Sequence, residues 1–151
     1  MIEIILHRPE IPQNTGNIGR ICAFTGCKLH LIHPLGFQIT DKNLRRAGMD
    51  YWKTLEVNEH KSWEDFLKSK NKPRRIFLFT THATKPYWEA DFHEGDGLLF
   101  GNEGTGAPKK IHEWAQSNRV TIPNFSNGLR SLNLAVSVGI ATYEALRQIK
   151  S

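Results

Sequence analysis

The sequence predicts an α/β fold in which a largely parallel sheet is flanked by helices. Short strand-like apolar runs alternate with helical patterns, the arrangement in which parallel strands are joined by helical crossovers. The first three elements already read strand, helix, strand. At 151 residues, with no internal repeat or low-complexity tract, the chain is expected to form one domain over 1–151. A domain of that size buries roughly two-thirds of the surface its unfolded chain exposes.

In order along the chain, residues 3–6 read as a buried strand. Residues 15–25 read as a helix closed by Gly26, just past its end, where a left-handed backbone is needed. Asn14 is expected to cap its start, ahead of a turn at Gly16. Within it Ile18, Ile21, Cys22 and Thr25 share the face that packs on the sheet, whereas Asn17, Arg20 and Phe24 project from the other side. Residues 29–32 give the second strand; Pro34, Leu35 and Gly36 then break the chain. A short basic helix is expected at 41–47 and a short strand at 55–57. Residues 62–70 are amphipathic, with Ser62 and Asp65 forming a capping-box-like start.

Three more strands are expected at 76–80, 97–100 and 120–122, the first two joined by a polar, aromatic loop. A helix over 107–117 carries Pro108 in its first turn, where a missing N–H does no harm. The longest helix, 132–149, places Leu132, Val136, Ile140, Tyr143 and Leu146 along one stripe.

Composition narrows the classes of function. Hydrophobic content of 39% with 23% charged residues is ordinary for a soluble globule, and no run approaches the ~18 apolar residues of a membrane span. The first ten residues hold an apolar run of only three, too short for a secretion signal, so a cytoplasmic location and no membrane partner are expected. Cys22 and Cys27 lack a second Cys/His pair at finger spacing and read as buried, inert thiols. No metal site is expected. The seven histidines are scattered, and neither a nucleophile elbow nor a paired-carboxylate site is evident. Twenty Lys and Arg against fifteen Asp and Glu give +5, which favours polyanionic partners. The cations cluster as Lys42, Arg45 and Arg46, as Lys68, Lys70, Lys72, Arg74 and Arg75, and as Lys109 with Lys110.

Three polar, glycine-punctuated segments interrupt the apolar pattern: 14–20 (NTGNIGR), 100–106 (FGNEGTG) and 122–134 (IPNFSNGLRSLNL). Glycines let backbone approach a ligand closely, while Asn, Glu, Arg and Ser orient it. The second segment has the spacing G-x-x-G-x-G, which is neither a dinucleotide fingerprint nor a Walker loop. Its Glu103 is either a site carboxylate or a solvated acid in a tight turn, and Ser131 is either a site hydroxyl or a plain N-cap. Residue chemistry alone describes a small basic α/β protein with a composite polar site and leaves the ligand open.

The ordered motifs NxGNxxR, FGNExxG and IPxxxxxRSLNL, leading into a helix that ends YEALRQ, resemble those of the SpoU/TrmH-type RNA 2′-O-ribose methyltransferases of the SPOUT superfamily. The resemblance covers essentially the whole chain. The opening RPEIPQNTGNIGR and the segment LRRAGMDY, 44–51, look like the TrmL-like subfamily that methylates the wobble nucleotide, C or U at position 34, of certain tRNAs. That subfamily usually has Pro, Thr and Arg where this chain has Asn102, Gly104 and Thr105, which brings the second motif nearer the wider TrmH pattern.

The resemblance implies a SPOUT fold with a deep C-terminal trefoil knot, a homodimer that completes the site, and S-adenosyl-L-methionine as cofactor. It implies that Thr80, Gly101, Asn102, Glu103, Gly106, Ile122, Pro123, Ser131, Leu132 and Asn133 line the cofactor pocket. Arg20 takes the central catalytic role, with Asn14 and Glu103 positioning substrate or Arg20, and Ser131 and Asn133 at the reacting centre. An arginine with pKa above ~12 is a poor general base, so Arg20 is read as an electrostatic stabiliser and phosphate orienter. Contact with the tRNA anticodon region falls to Arg20, Lys42, Arg45, Arg46 and Lys109. Methylation of another tRNA position or of rRNA, and a non-catalytic RNA-binding dimer, are the alternatives. Phe24 and the apolar stripe of the last helix suit a dimer contact, and core packing explains that stripe equally well.

Overall fold

The structure, a computed structural model, describes residues 1–40, 42, 46 and 50–150. The helix expected over 41–47, with Arg45 and most of LRRAGMDY, therefore lies outside the described residues. Strands β1 (Glu3–His7), β2 (Lys28–Ile32), β3 (Val57–His60), β4 (Ile76–Phe79), β5 (Gly97–Phe100) and β6 (Arg119–Val120) form one sheet, every pairing parallel, in the order β3-β2-β1-β5-β4-β6. Helices α1 (Pro12–Thr25), α2 (Asp50–Trp52, one turn), α3 (Trp63–Lys68), α4 (Lys109–Ala115) and α5 (Leu134–Lys150) make the described connections, with a 3-10 turn at Tyr87–Glu89. The α/β class and its parallel sheet are thus as expected.

The sheet separates two apolar layers. Ile4, Leu6, Phe77, Phe79, Leu98 and Phe100 face α1 and α5, whereas Ile5, Leu78 and Leu99 meet Trp63 and Phe66 of α3 and Ile111 of α4. Alternate residues serve opposite layers and all are buried, which is why these strands read as unbroken apolar runs. Gly26 ends α1 in the left-handed region at φ +77, and its N–H donates to the Cys22 carbonyl. Ser62 Oγ accepts from the Asp65 N–H at 3.1 Å, as the capping pattern requires. Cys22 and Cys27 are buried and free, and burial pushes both thiols up, keeping them protonated and inert.

Several boundaries differ from expectation. Helix α1 begins at Pro12, so Asn14 is not its cap; it lies inside the first turn and is buried. Proline's preset φ starts the helix there, and Ile11 at the cap position offers no side-chain hydrogen bond of its own. The strand expected at 55–57 is instead Val57–His60, because Leu55 closes the turn after α2 by donating to the Trp52 carbonyl. The strand expected at 120–122 ends at Val120; Thr121 bridges Pro86. The last helix starts at Leu134, and its cap is Asn133, whose Oδ1 accepts from the Val136 N–H at 3.2 Å; Ser131 lies outside it and is exposed. The buried side of α5 carries the small residues Ala135, Ala141 and Ala145 with Val138 and Thr142, so the predicted stripe faces outward.

The histidines that appear scattered in sequence partly converge. His30 Nε2 lies 2.6 Å from Glu3 Oε1 and its Nδ1 lies 2.9 Å from His60 Nε2, all roofed by Phe66. His7, at the end of β1, is buried edge-on against Trp63 with neither ring nitrogen hydrogen-bonded. Burial, reinforced by Arg8 and Lys110, lowers its pKa to about 4.

Two predictions follow the packing. His7 is neutral in the fold but titrates near 6.5 when unfolded, so the unfolded chain gains the proton first on acidification. Stability should be full above pH 6.5 and fall between about 6.5 and 4, by roughly 3 kcal/mol at most. His7→Phe should flatten that limb in urea denaturation at pH 7.5 and 4.5; an equally steep acid loss in the variant would refute the assignment. At the end of β5, a Cβ on Gly101 would stand 2.2 Å from the Ala107 nitrogen and 2.4 Å from the Gly106 carbonyl carbon. Both are backbone atoms and cannot swing away, so Gly101→Ala should cost about 1–3 kcal/mol and open the 101–107 turn. Unchanged thermal stability would show that the turn is looser than described.

Candidate functional site

The three glycine-punctuated segments meet at the C-terminal edge of the sheet, where ligands of open α/β sheets bind. Phe79 is in register with Phe100 on one side and Val120 on the other, so Thr80, Gly101 and Thr121 leave adjacent strands side by side. Ile122 and Pro123 follow at once, both half-buried. The Thr80 hydroxyl lies 2.8 Å from His112 Nε2, while His112 Nδ1 lies 3.2 Å from the Pro108 carbonyl. A carbonyl only accepts, so the proton sits on Nδ1 and the Thr80 hydroxyl donates to Nε2.

The second segment folds on itself: Asn102 and Gly106 exchange backbone hydrogen bonds of 3.2 and 2.8 Å. The Asn102 side chain accepts from the Gly104 and Thr105 N–H groups at 2.8 and 3.2 Å and donates to the Arg8 carbonyl at 2.7 Å. A proline there has neither group, so the departure from the subfamily pattern has a structural meaning: side-chain bonds replace ring rigidity. Gly106, at φ +69, has no atom within 4 Å of an added Cβ, and the nearest to Gly104 is Asn102 Oδ1 at 3.5 Å. This backbone is open toward a ligand.

Glu103 joins the segments. The Glu10 and Ile11 N–H groups donate to its two carboxylate oxygens at 2.8 and 2.9 Å, and Asn14 Nδ2 donates to one of them at 3.3 Å. Asn133 Nδ2 then donates to Asn14 Oδ1 at 3.0 Å. One residue from each segment thus enters a single chain, Glu103, Asn14, Asn133. The positive end of α1 is occupied by this carboxylate. Glu103 is half-buried and engaged, so the alternative of a freely solvated acid falls away.

Other expected residues are exposed. Ser131 is exposed, and Leu132 is 48% exposed. Arg20 is on the outer face of α1 with Asn17 and Phe24, two turns past the helix start rather than beside it. Its guanidinium carbon lies 4.9 Å from the centroid of the Tyr51 ring. Lys42 and Arg46 are exposed, and exposed Lys109 lies 3.8 Å from Glu113. Lys70, Lys72, Arg74 and Arg75 line a cleft at the opposite, N-terminal edge of the sheet, away from these segments. His112 and Tyr51 are site neighbours the sequence did not single out. Tyr51 was visible only as the last letter of LRRAGMDY, and His112 only as a residue four past Pro108.

Among the described residues no group of three or more His, Cys, Asp or Glu could hold a metal, and no helix is long and apolar enough to cross a membrane.

Comparison with known proteins shows the family. A protein of Saccharophagus degradans named tRNA (cytidine(34)-2'-O)-methyltransferase is 47% identical over 150 residues, 99% of this chain and 96% of its own. A solved structure described as giving insight into the 2-OH methylation of C/U34 on tRNA is 45% identical with TM-score 0.90, covering 98% of this chain and 95% of that one. A structure described as a putative RNA methyltransferase from Bacillus anthracis is 41% identical, also at TM-score 0.90, covering 99% and 95%. The profile of the SpoU rRNA Methylase family matches residues 1–143, and with three segments converging on one sheet edge, the chain belongs to that family.

Proposed function

We propose that this chain is an S-adenosyl-L-methionine-dependent 2′-O-methyltransferase of the wobble nucleotide, position 34, of tRNA, acting in the cytoplasm as a homodimer with the family's knotted C-terminal half. The convergence of the three segments through Glu103, Asn14 and Asn133 carries the reading, in a chain nearly half identical to the Saccharophagus degradans protein along its whole length.

The residues suit the cofactor. Uncrowded backbone at Gly104 and Gly106, a floor of strand ends at Thr80 and Gly101, and the apolar Ile122, Pro123 and Leu132 match a nucleoside seated closely against backbone between apolar walls. Asn102 and Glu103 hold that wall in shape, and Ser131 and Asn133 border the reacting centre. S-adenosylmethionine supplies an electrophilic methyl group on a sulfonium. In transfer the ribose 2′-oxygen would take that methyl group, the electron pair of the carbon–sulfur bond would stay on sulfur as a neutral thioether, and the hydroxyl proton would pass to water. Arg20 stabilises the negative charge developing on that oxygen and orients a neighbouring phosphate, while Lys42, Arg45, Arg46 and Lys109 hold the backbone of the anticodon arm.

Arg20 shares the outer side of α1 with Phe24, which is 82% exposed, and next to it α5 presents Val136 and Tyr143, each about half exposed. An apolar surface flanking a catalytic arginine fits a site completed by a second copy.

The direct test is to incubate purified protein with S-adenosylmethionine and unmodified tRNA and map ribose methylation. Modification at nucleotide 34 is expected. Methylation elsewhere in tRNA, or only of rRNA, would move the target; tRNA binding without any transfer would make the chain a non-catalytic binder. Arg20→Ala should lower single-turnover methylation roughly 10²-fold or more while leaving cofactor affinity, read by calorimetry, unchanged. A retained rate with weaker tRNA binding would reduce Arg20 to a phosphate contact. Val136→Arg should convert a dimer to a monomer in sedimentation and abolish transfer; a stable, active monomer of the unchanged protein at micromolar concentration would remove the shared-site reading.

A further inference from the structure

An exposed arginine on a helix samples many rotamers, and both long cationic side chains carry about 2 kcal/mol of rotamer entropy. Arg20 is exposed, yet its guanidinium carbon lies over the Tyr51 ring, 4.9 Å from the centroid. That ring is itself held in place. Tyr51 lies in α2, whose next residue, Trp52, is pressed so closely on α1 that a Cβ at Gly19 would stand 2.7 Å from Trp52 Cζ3 and 3.4 Å from Leu55 Cδ2. Trp52 and Leu55 pack onto the core layer, and the Thr54 N–H and hydroxyl both donate to the Tyr51 carbonyl, at 3.1 and 2.8 Å. Gly19 and Arg20 are consecutive, so the contact that docks Trp52 also sets Tyr51 against Arg20.

The chemistry of the contact matters. A cation over a ring is held by the ring's negative face rather than by an oxygen acceptor, so its N–H donors remain available to substrate oxygens. A carboxylate partner would occupy two of those donors in a bidentate pair and offset the charge that the developing alkoxide requires.

We propose that Tyr51 is a positioning residue for Arg20: its ring holds the guanidinium before substrate arrives, without occupying a donor. This rests on Arg20 acting as charge stabiliser. The contact itself is read in the free protein by ¹⁵N NMR of the Arg20 Nε–H, which should show an upfield ring-current shift lost in Tyr51→Leu and regained in Tyr51→Phe. Its effect on the reaction is read by single-turnover methylation at saturating tRNA and S-adenosylmethionine. Tyr51→Leu should slow transfer about two- to fivefold, the scale of an exposed cation–π contact, and Tyr51→Phe should recover most of that loss. In an Arg20→Ala background Tyr51→Leu should cost nothing further. An unchanged Arg20 resonance in Tyr51→Leu, or the same slowing in both backgrounds, would overturn the inference, the second by showing that the ring acts on its own. A full rate in Arg20→Ala with the ring-current shift intact would instead overturn the catalytic reading of Arg20, and the positioning role would fall with it.

Discussion

The carboxylate of Glu103 is the constraint on which the site depends. It bonds two backbone N–H groups immediately before α1 and the side chain of Asn14 within it, at the end of the helix where the dipole favours negative charge. The stretch around it is held from other sides too. Asn102 donates to the Arg8 carbonyl, and Gly36 lies so close to Glu10 that a Cβ would come within 2.8 Å of its backbone. Arg8 adopts φ +52, an uncommon value for a residue with a side chain, at the point where β1 turns toward α1. Residues from three distant parts of the chain therefore fix one short stretch, and through Asn14 the same carboxylate reaches Asn133 at the cap of α5. Glu103→Gln keeps an acceptor but loses the charge, so it separates the electrostatic share of this junction from its geometry.

Much of the fold is legible in the sequence because the sheet is parallel and buried on both faces. Runs such as Ile76–Phe79 and Gly97–Phe100 are apolar at every position, and punctuation by Gly26 and Ser62 marks helix ends through local chemistry. At one boundary that differs, a distant group holds a side chain that was expected to act locally. Asn14 resembles an N-cap because its residue type suits the role, but Pro12 starts the helix and Glu103, 89 positions away, takes the Asn14 side chain. The stripe on α5 shows the complementary case. Its large residues face outward and its alanines inward, because the close approach of α1 to α5 selects small side chains, with Ile21 Cδ1 3.6 Å from where a Cβ at Gly139 would lie.

The site was legible as three segments but not as a network. Glycine and amide residues announce that backbone is to be approached, yet which amide meets which carboxylate depends on strand order. β1 lies between β2 and β5, an order that periodicity cannot supply, and it is this neighbour relation that brings the turn after β5 to the turn after β1. Tyr51 was hidden for the same reason: its role is visible only once Trp52 is seen docked on Gly19.

The arrangement divides labour between rigid and exposed parts. Strand ends and the Glu103 junction make a preorganised wall in which Asn102, Glu103 and Thr80 spend their polar groups on the protein itself, while Gly104 and Gly106 leave room beside it. Arg20 stands apart from that wall, on a helix face that is otherwise apolar at Phe24 and is continued by Val136 and Tyr143. In the proposed dimer, cofactor and arginine come from different faces of the fold, and their meeting depends on association. On that proposal the lone protomer would hold the methyl donor but be poorly placed to use it, and transfer would wait until substrate and partner are both aligned. Under the proposed catalytic role, an arginine held over a ring rather than paired with an acid has its direction fixed and its donors kept for the reaction.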